Sequence, residues 1–185
     1  MEKIFLTAND LLDDAFRLAD KIAKSGFHPT FIVGIWRGGA PIGIAVQEYF
    51  DVCNIETDHS AVRTSSYTGI DERSSRVGVY GMQYIVERVG PDDRLLIVDD
   101  VFDTGRSIEA LLQELTKLCG ANTPQTIKTA TVYYKPKKRL ATVQPDFTLY
   151  ETEDWLVFPH EIKGLSQDEI KNGKSQVIAD ILADR

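Results

Sequence analysis

The sequence predicts an α/β fold built on a parallel, doubly wound sheet. Two observations carry this. Short, fully apolar runs alternate with helical-period segments, and the turns after those runs are rich in glycine and charge. Phe31-Ile32-Val33-Gly34-Ile35-Trp36 and, after Arg94, Leu95-Leu96-Ile97-Val98 are apolar without alternation, as strands buried on both faces must be. Ile127 to Tyr134 reads as a third strand, Ile55 to Val62 as another, and Val77 to Tyr80, Phe147 to Tyr150 and Trp155 to Phe158 as shorter ones.

The helices follow in order. Leu11, Leu12, Ala15, Leu18, Ala19 and Ile22 mark a helix over residues 8–25, with Asn9 or Asp10 as its cap. Ala40 to Phe50 reads as a second, with Pro41 in its first turn. Gly105 opens a third, with apolar positions Ile108, Leu111, Leu112, Leu115 and Leu118, ending near Gly120. Ser166 and Glu169 match a capping box at the start of a tail helix. Arg63 to Arg76, polar and rich in Ser, Thr and Gly, reads as a loop.

Composition narrows the function. The 185 residues suit one domain, and a net charge of −7 argues against a general nucleic-acid binder. Cys53 and Cys119 fit no metal spacing and read as buried free thiols of a reducing compartment. The stretch Met1 to Thr7 is too short and polar for a signal peptide, and no apolar run approaches the roughly 20 residues that span a bilayer. A cytoplasmic protein without membrane or nucleic-acid partners is expected.

Chemistry should lie beyond the carboxyl ends of the strands, just after Trp36, Val98 and Tyr134. The strongest segment is Val98-Asp99-Asp100-Val101-Phe102-Asp103-Thr104-Gly105-Arg106-Ser107. It runs from a strand end into a helix N-terminus, where backbone N–H groups and hydroxyls can cradle a phosphate monoester. It has neither the Walker spacing nor the dinucleotide glycine pattern. The carboxylates of Asp99 and Asp100 can accept hydrogen bonds from a sugar diol, directly or through Mg²⁺. A phosphate at one end and a diol at the other describe ribose 5-phosphate.

That segment resembles the 5-phosphoribosyl-1-diphosphate (PRPP) motif of type I phosphoribosyltransferases, and the order of elements is similar from Phe31 to Glu161. The resemblance implies a single domain over residues 1–185, with a small base-binding hood from the N-terminus and residues around 147–185. It implies transfer of phosphoribosyl from PRPP to N9 of a purine, with Mg²⁺ as cofactor and a homo-oligomer, dimer or tetramer, as the working form. Asp99 and Asp100 would hold the ribose hydroxyls and metal, and Asp103, Thr104, Gly105, Arg106 and Ser107 the 5-phosphate.

Asp103, where the adenine and orotate enzymes usually carry alanine, points to the 6-oxopurine branch (hypoxanthine, guanine or xanthine) and to acid–base work at N7. A plain helix N-cap is the alternative role for it. Arg37 and Gly38, in Trp36-Arg37-Gly38-Gly39, resemble the pyrophosphate loop, which carries a cis peptide between the positions of Trp36 and Arg37. Many members carry lysine where Arg37 stands.

Ser66 and Tyr67 resemble the pair on the mobile catalytic flap, a lid that excludes water. Lys135 stands where the branch donates to O6 of the base; otherwise it is a surface lysine at a strand end. Trp155 would stack on the purine and the Leu156 backbone read its edge, against the default of a core tryptophan. Glu161 lies where an acidic residue binds a second Mg²⁺ through water. A regulator of the same fold that senses PRPP or nucleotides is the competing reading.

Overall fold

The structure is a computed structural model that describes residues 3–67 and 76–183. In chain order the elements are β1 (Lys3–Phe5), α1 (Ala8–Lys24), β2 (Phe31–Trp36), α2 (Gly39–Val52), β3 (Asp58–Tyr67), β4 (Arg76–Tyr80), α3 (Gln83–Arg88), β5 (Arg94–Phe102), α4 (Arg106–Cys119), β6 (Thr126–Tyr134), β7 (Phe147–Glu151), β8 (Trp155–Val157), α5 (Gln167–Gly173) and α6 (Gln176–Leu182). They fall into two compact units: Asp14–Glu153, and residues up to Asp13 together with those from Asp154 onward.

The larger unit holds a six-stranded sheet of order β4-β3-β2-β5-β6-β7. All neighbours run parallel except β3 and β4 at one edge. On one face Phe31, Val33, Ile35, Leu95 and Ile97 pack with Ile85 of α3 and with Ile108, Leu111 and Leu115 of α4. Ile32 and Gly34 point the other way, towards α2, whose Gly43 lies close to the Gly34 backbone. Helices therefore cover both faces, which explains why β2 and β5 lack alternation.

Chain order around the sheet reverses between β2 and β5. There the two strands part early: their register runs from Phe31↔Leu95 to Gly34↔Val98 and stops. The β5–β6 ladder continues to Phe102↔Tyr134. Asp99 and Asp100 are thus inside β5 rather than after it, because the ladder with β6 persists where the pairing with β2 has stopped.

The structure corrects four further expectations, the first being Cys53, which is exposed and not buried, while Cys119 is buried. Residues 63–67 are strand, not loop: Arg63↔Tyr80 through Tyr67↔Arg76 form an antiparallel ladder. Polar residues suffice there, since an edge ladder beyond the core needs backbone partners and little apolar burial. The remainder of the expected loop, residues 68–75, lies outside the described residues. Thr7, not Asn9 or Asp10, caps α1: its hydroxyl accepts the Asp10 N–H at 3.1 Å and donates to the Asp10 carboxylate at 2.6 Å. The tail is two helices, since α5 ends at Gly173 and Ser175 caps α6 anew. The Ser166–Glu169 capping box at the head of α5 is present as expected.

The smaller unit contains a two-stranded parallel sheet, β1 with β8, in the register Lys3↔Trp155, Ile4↔Leu156 and Phe5↔Val157. Strand β1 carries too short a pattern to read from sequence. Phe5 lies against Gly173, where any side chain would collide with its ring.

Candidate active site

In the larger unit the site grows from the step between β2 and β5. Glycine makes the step passable. A methyl on Gly38 would land on the Asp100 carboxylate, with even the farther oxygen only 2.6 Å away. One on Gly39 would land on the Val98 carbonyl oxygen and lie 2.9 Å from the Asp99 Cα. The loop after β2 is therefore seated directly against the acidic pair, and the peptide between Trp36 and Arg37 is cis. The Arg37 side chain is exposed.

The acidic pair is held by backbone. Asp99 accepts the Asp100 N–H at 3.0 Å, and Asp100 accepts the Val101 N–H at 2.8 Å. The Gly39 N–H also donates to Asp99. Burial pushes the Asp99 carboxyl well above the ordinary carboxylate range, and the neighbouring Asp100 charge adds to the rise. Two adjacent carboxylates on one strand can accept hydroxyl donors or bind a hard cation.

Beyond them the chain turns into α4 through Gly105, which adopts a left-handed φ of 78° and is the N-cap of that helix. A methyl there would strike the Phe102 ring and come within 2.7 Å of the Ala141 Cβ. Asp103 is accordingly not the cap, and the alternative role for it falls. The Thr104 hydroxyl faces the Arg106 N–H at 3.4 Å. The first turn of α4, with Ser107, presents the N–H groups that no helix can satisfy internally.

Asp103 is met by two ammonium groups. Lys135 and Lys138 each place Nζ 3.9 Å from its Oδ2, while Oδ1 is buried without a hydrogen-bond partner. Lys135 is only 6% exposed, which removes the surface-lysine reading. Burial lowers its pKa from the ordinary lysine value, Asp103 and Glu153 pull it back up, and Lys138 lowers it further. The structure thus joins Arg37's loop, Asp99, Asp100, Asp103 to Ser107 and Lys135 around the carboxyl ends of the central strands. Lys138 was not foreseen; its position three residues after Lys135 in a turn was the available signal.

Ser66 is exposed on β3, with its Cα opposite Val77. Tyr67 ends that strand, and its side chain lies outside the described residues.

In the smaller unit Trp155 is 54% exposed, so it is not a core tryptophan. Lys3 Nζ lies over its ring, 5.9 Å from the centroid. Leu156 is buried beside it in β8. One oxygen of Glu161 accepts the Phe158 N–H at 3.1 Å. Lys174 donates to the Phe158 carbonyl at 2.7 Å, fastening the same turn.

A carboxylate pair on a strand end, followed by a phosphate-type cradle at a helix start, defines a class of α/β proteins that bind phosphorylated ribose. Comparison with known proteins agrees. The phosphoribosyl transferase domain family matches residues 3–167. A hypoxanthine-guanine phosphoribosyltransferase of Lactococcus lactis is 30% identical over 150 residues, 80% of this chain and 75% of that protein. A purine phosphoribosyltransferase of Pyrococcus horikoshii superposes with a TM-score of 0.69 at 27% identity, covering 90% of this chain and 98% of the other. A hypothetical protein of Neisseria gonorrhoeae, solved with bound ppGpp, shares the fold (TM-score 0.74, 22% identity, 100% and 98% covered). The chain belongs to the type I phosphoribosyltransferase family, in its 6-oxopurine branch.

Proposed function

We propose that this purine-salvage phosphoribosyltransferase performs its reaction with the residues just described, moving the phosphoribosyl group of PRPP to N9 of hypoxanthine, guanine or xanthine. The observation that carries the assignment of roles is the Asp99–Asp100 pair leading into the α4 cradle, with Lys135 and Asp103 beside it.

The backbone of Asp103 to Ser107, with the Thr104 and Ser107 hydroxyls and Arg106, holds the 5-phosphate. Asp99 and Asp100 accept hydrogen bonds from the two ribose hydroxyls. Arg37 and the Gly38 backbone bind the pyrophosphate. Lys135 donates to O6, and Trp155 stacks on the base while the Leu156 backbone reads its edge. Adenine, whose 6-amino group is itself a donor, offers the Lys135 ammonium no acceptor at that position. The bond from C1 to the pyrophosphate oxygen breaks as the N9–C1 bond forms on the opposite face. Asp103 accepts the proton that N7 of the base surrenders. Ser66 and Tyr67 close over the centre and exclude water. Positioning and electrostatics supply most of the acceleration.

The donor set fits Mg²⁺. Its ligands would be the hard carboxylate oxygens of Asp99 and Asp100. That pattern suits an ion held by one or two carboxylates plus substrate oxygens. Asp99 and Asp100 would hold one Mg²⁺ through the ribose diol, and Glu161 a second through water. When bound, Mg²⁺ supplies positive charge against the departing pyrophosphate.

We assign the smaller unit, with β7 leading into it, as the base-binding hood of a single functional domain. The protein would work in the cytoplasm as a dimer or tetramer, which light scattering tests directly. No helix among the described residues is long and apolar enough to cross a membrane.

The test of the whole reading is pyrophosphate release from PRPP with Mg²⁺ and each of hypoxanthine, guanine, xanthine and adenine. A 6-oxopurine should be the best substrate. Preference for adenine would overturn the roles of Asp103 and Lys135.

A further inference from the structure

We propose that Lys3 is the positioning residue for Trp155: its ammonium occupies one face of the indole and holds the ring so that the opposite face is presented to the base. The inference rests on the reading that Trp155 stacks on the purine. It adds a residue far from every motif in the sequence, contributed by a three-residue strand.

The geometry is specific. Lys3 and Trp155 are register partners on adjacent parallel strands, so their side chains rise on the same side of the small sheet. Lys3 Nζ sits 5.9 Å from the ring centroid, within cation–π reach. The ammonium is itself fixed, because Glu169 Oε1 lies 2.6 Å away. Glu169 is fixed in turn: its other oxygen accepts the Ser166 N–H at 2.8 Å, in the capping box of α5. The Lys3 ammonium holds the Glu169 carboxyl below its ordinary value. A chain of contacts therefore runs from the α5 backbone through Glu169 and Lys3 to the indole. All of these residues belong to the smaller unit.

The consequence is preorganisation. A tryptophan 54% exposed on a short strand would otherwise sample several rotamers and lose that freedom when a base stacks on it. With the cation in place, that freedom is already lost in the unliganded protein. Removing the cation should weaken base binding about threefold to tenfold, the scale of one ordered side chain or one exposed cation–π contact. It should leave the chemical step intact.

The experiment compares Lys3→Met, Lys3→Arg and Trp155→Leu in the full chain. KM for the 6-oxopurine, KM for PRPP and kcat are measured for each. The two tryptophans, Trp36 and Trp155, are also labelled as 5-fluorotryptophan and followed by ¹⁹F NMR. Expected results are a threefold to tenfold rise in base KM for Lys3→Met, with kcat and PRPP KM within about twofold. The Trp155 resonance should move in the unliganded protein, and Lys3→Arg should restore both readouts.

If Trp155→Leu raises base KM while Lys3→Met changes neither base KM nor the resonance, the role of Lys3 is refuted and base stacking stands. If Trp155→Leu leaves base KM unchanged, base stacking itself fails and takes this inference with it. Should Lys3→Met not fold, Glu169→Gln serves instead, since the amide can keep the Ser166 contact while losing the ion pair. An unmoved Trp155 resonance in that variant would refute the proposal.

Discussion

Replacing Gly38 by alanine puts the joint between the loop after β2 and the acidic pair under direct test. Gly38 has an ordinary right-handed backbone, φ −65° and ψ −34°, so alanine carries no conformational penalty there. The whole effect must come from the methyl, which would overlap the Asp100 carboxylate. Asp100 is 8% exposed and accepts the Val101 N–H at 2.8 Å. To make room it must leave that bond, worth about 1.5–3 kcal/mol for a charged acceptor. It must also leave its rotamer, at about 0.5–1.5 kcal/mol. Together these give about 2–4 kcal/mol, or a fall in Tm of about 5–15 °C for a chain of this size.

Because the displaced group is one proposed to grip ribose, KM for PRPP should rise about tenfold or more, while KM for the base changes little. The assay pairs a thermal melt by circular dichroism with initial rates at varied PRPP. Gly43→Ala is the control. It lies in α2, the helix that Gly38 precedes, and its added methyl would sit 3.6 Å from the Gly34 Cα, an ordinary contact. It should leave PRPP KM unchanged and raise stability by up to about 1 kcal/mol. A Gly38→Ala protein with the parent's Tm and PRPP KM would show that the loop and Asp100 are not packed as described.

Other outcomes follow from the same geometry. Asp99→Asn with Asp100→Asn should abolish PRPP binding in calorimetry with Mg²⁺ present; retained affinity would remove the diol role. Asp99→Asn alone should stabilise the ligand-free, metal-free protein. A carboxyl whose folded pKa is raised costs stability as pH rises through that value. The Tm advantage of the variant should therefore widen from pH 4 to pH 8, and a constant gap would contradict the burial of that charge. Lys135→Gln should lower kcat/KM for hypoxanthine about 10- to 100-fold and leave the poor adenine rate nearly unchanged, which competition assays read directly.

In pH profiles the alkaline limb of kcat/KM should lie below the ordinary lysine range, because burial favours loss of the Lys135 proton. Lys138→Gln removes a like charge and should shift that limb to higher pH; an unmoved limb would disconnect Lys138 from the site.

Much of this was legible in the sequence because it depends on continuous segments. The apolar runs fixed β2 and β5 at their centres, and Asp99 to Ser107 announced a strand end, a carboxylate pair and a helix start within ten residues. The cis peptide at Trp36 and the burial of Lys135 followed expectation as well. What escaped depends on contacts distant in sequence. Residues 63–67 look like loop until β4 supplies a ladder. Strand β1 is only three residues long and acquires meaning through β8. Lys3 and Glu169 are 166 positions apart, so no local pattern could pair them. The partner of Lys138 is likewise set by a turn, and not by any periodicity.

The unequal height of β5's two neighbours has a wider consequence. Ending one ladder at Gly34↔Val98 while the other runs on to Phe102↔Tyr134 leaves a ledge in the sheet, and both acidic side chains stand on it. The separation of that ledge from the loop carrying Arg37 is governed by how β2 lies against β5, and hence by packing at Phe31, Val33, Leu95 and Ile97 deep in the interior. Interior substitutions that change side-chain volume there should tune the grip on PRPP without touching any residue that meets it. Affinity in this enzyme is therefore open to adjustment from beneath.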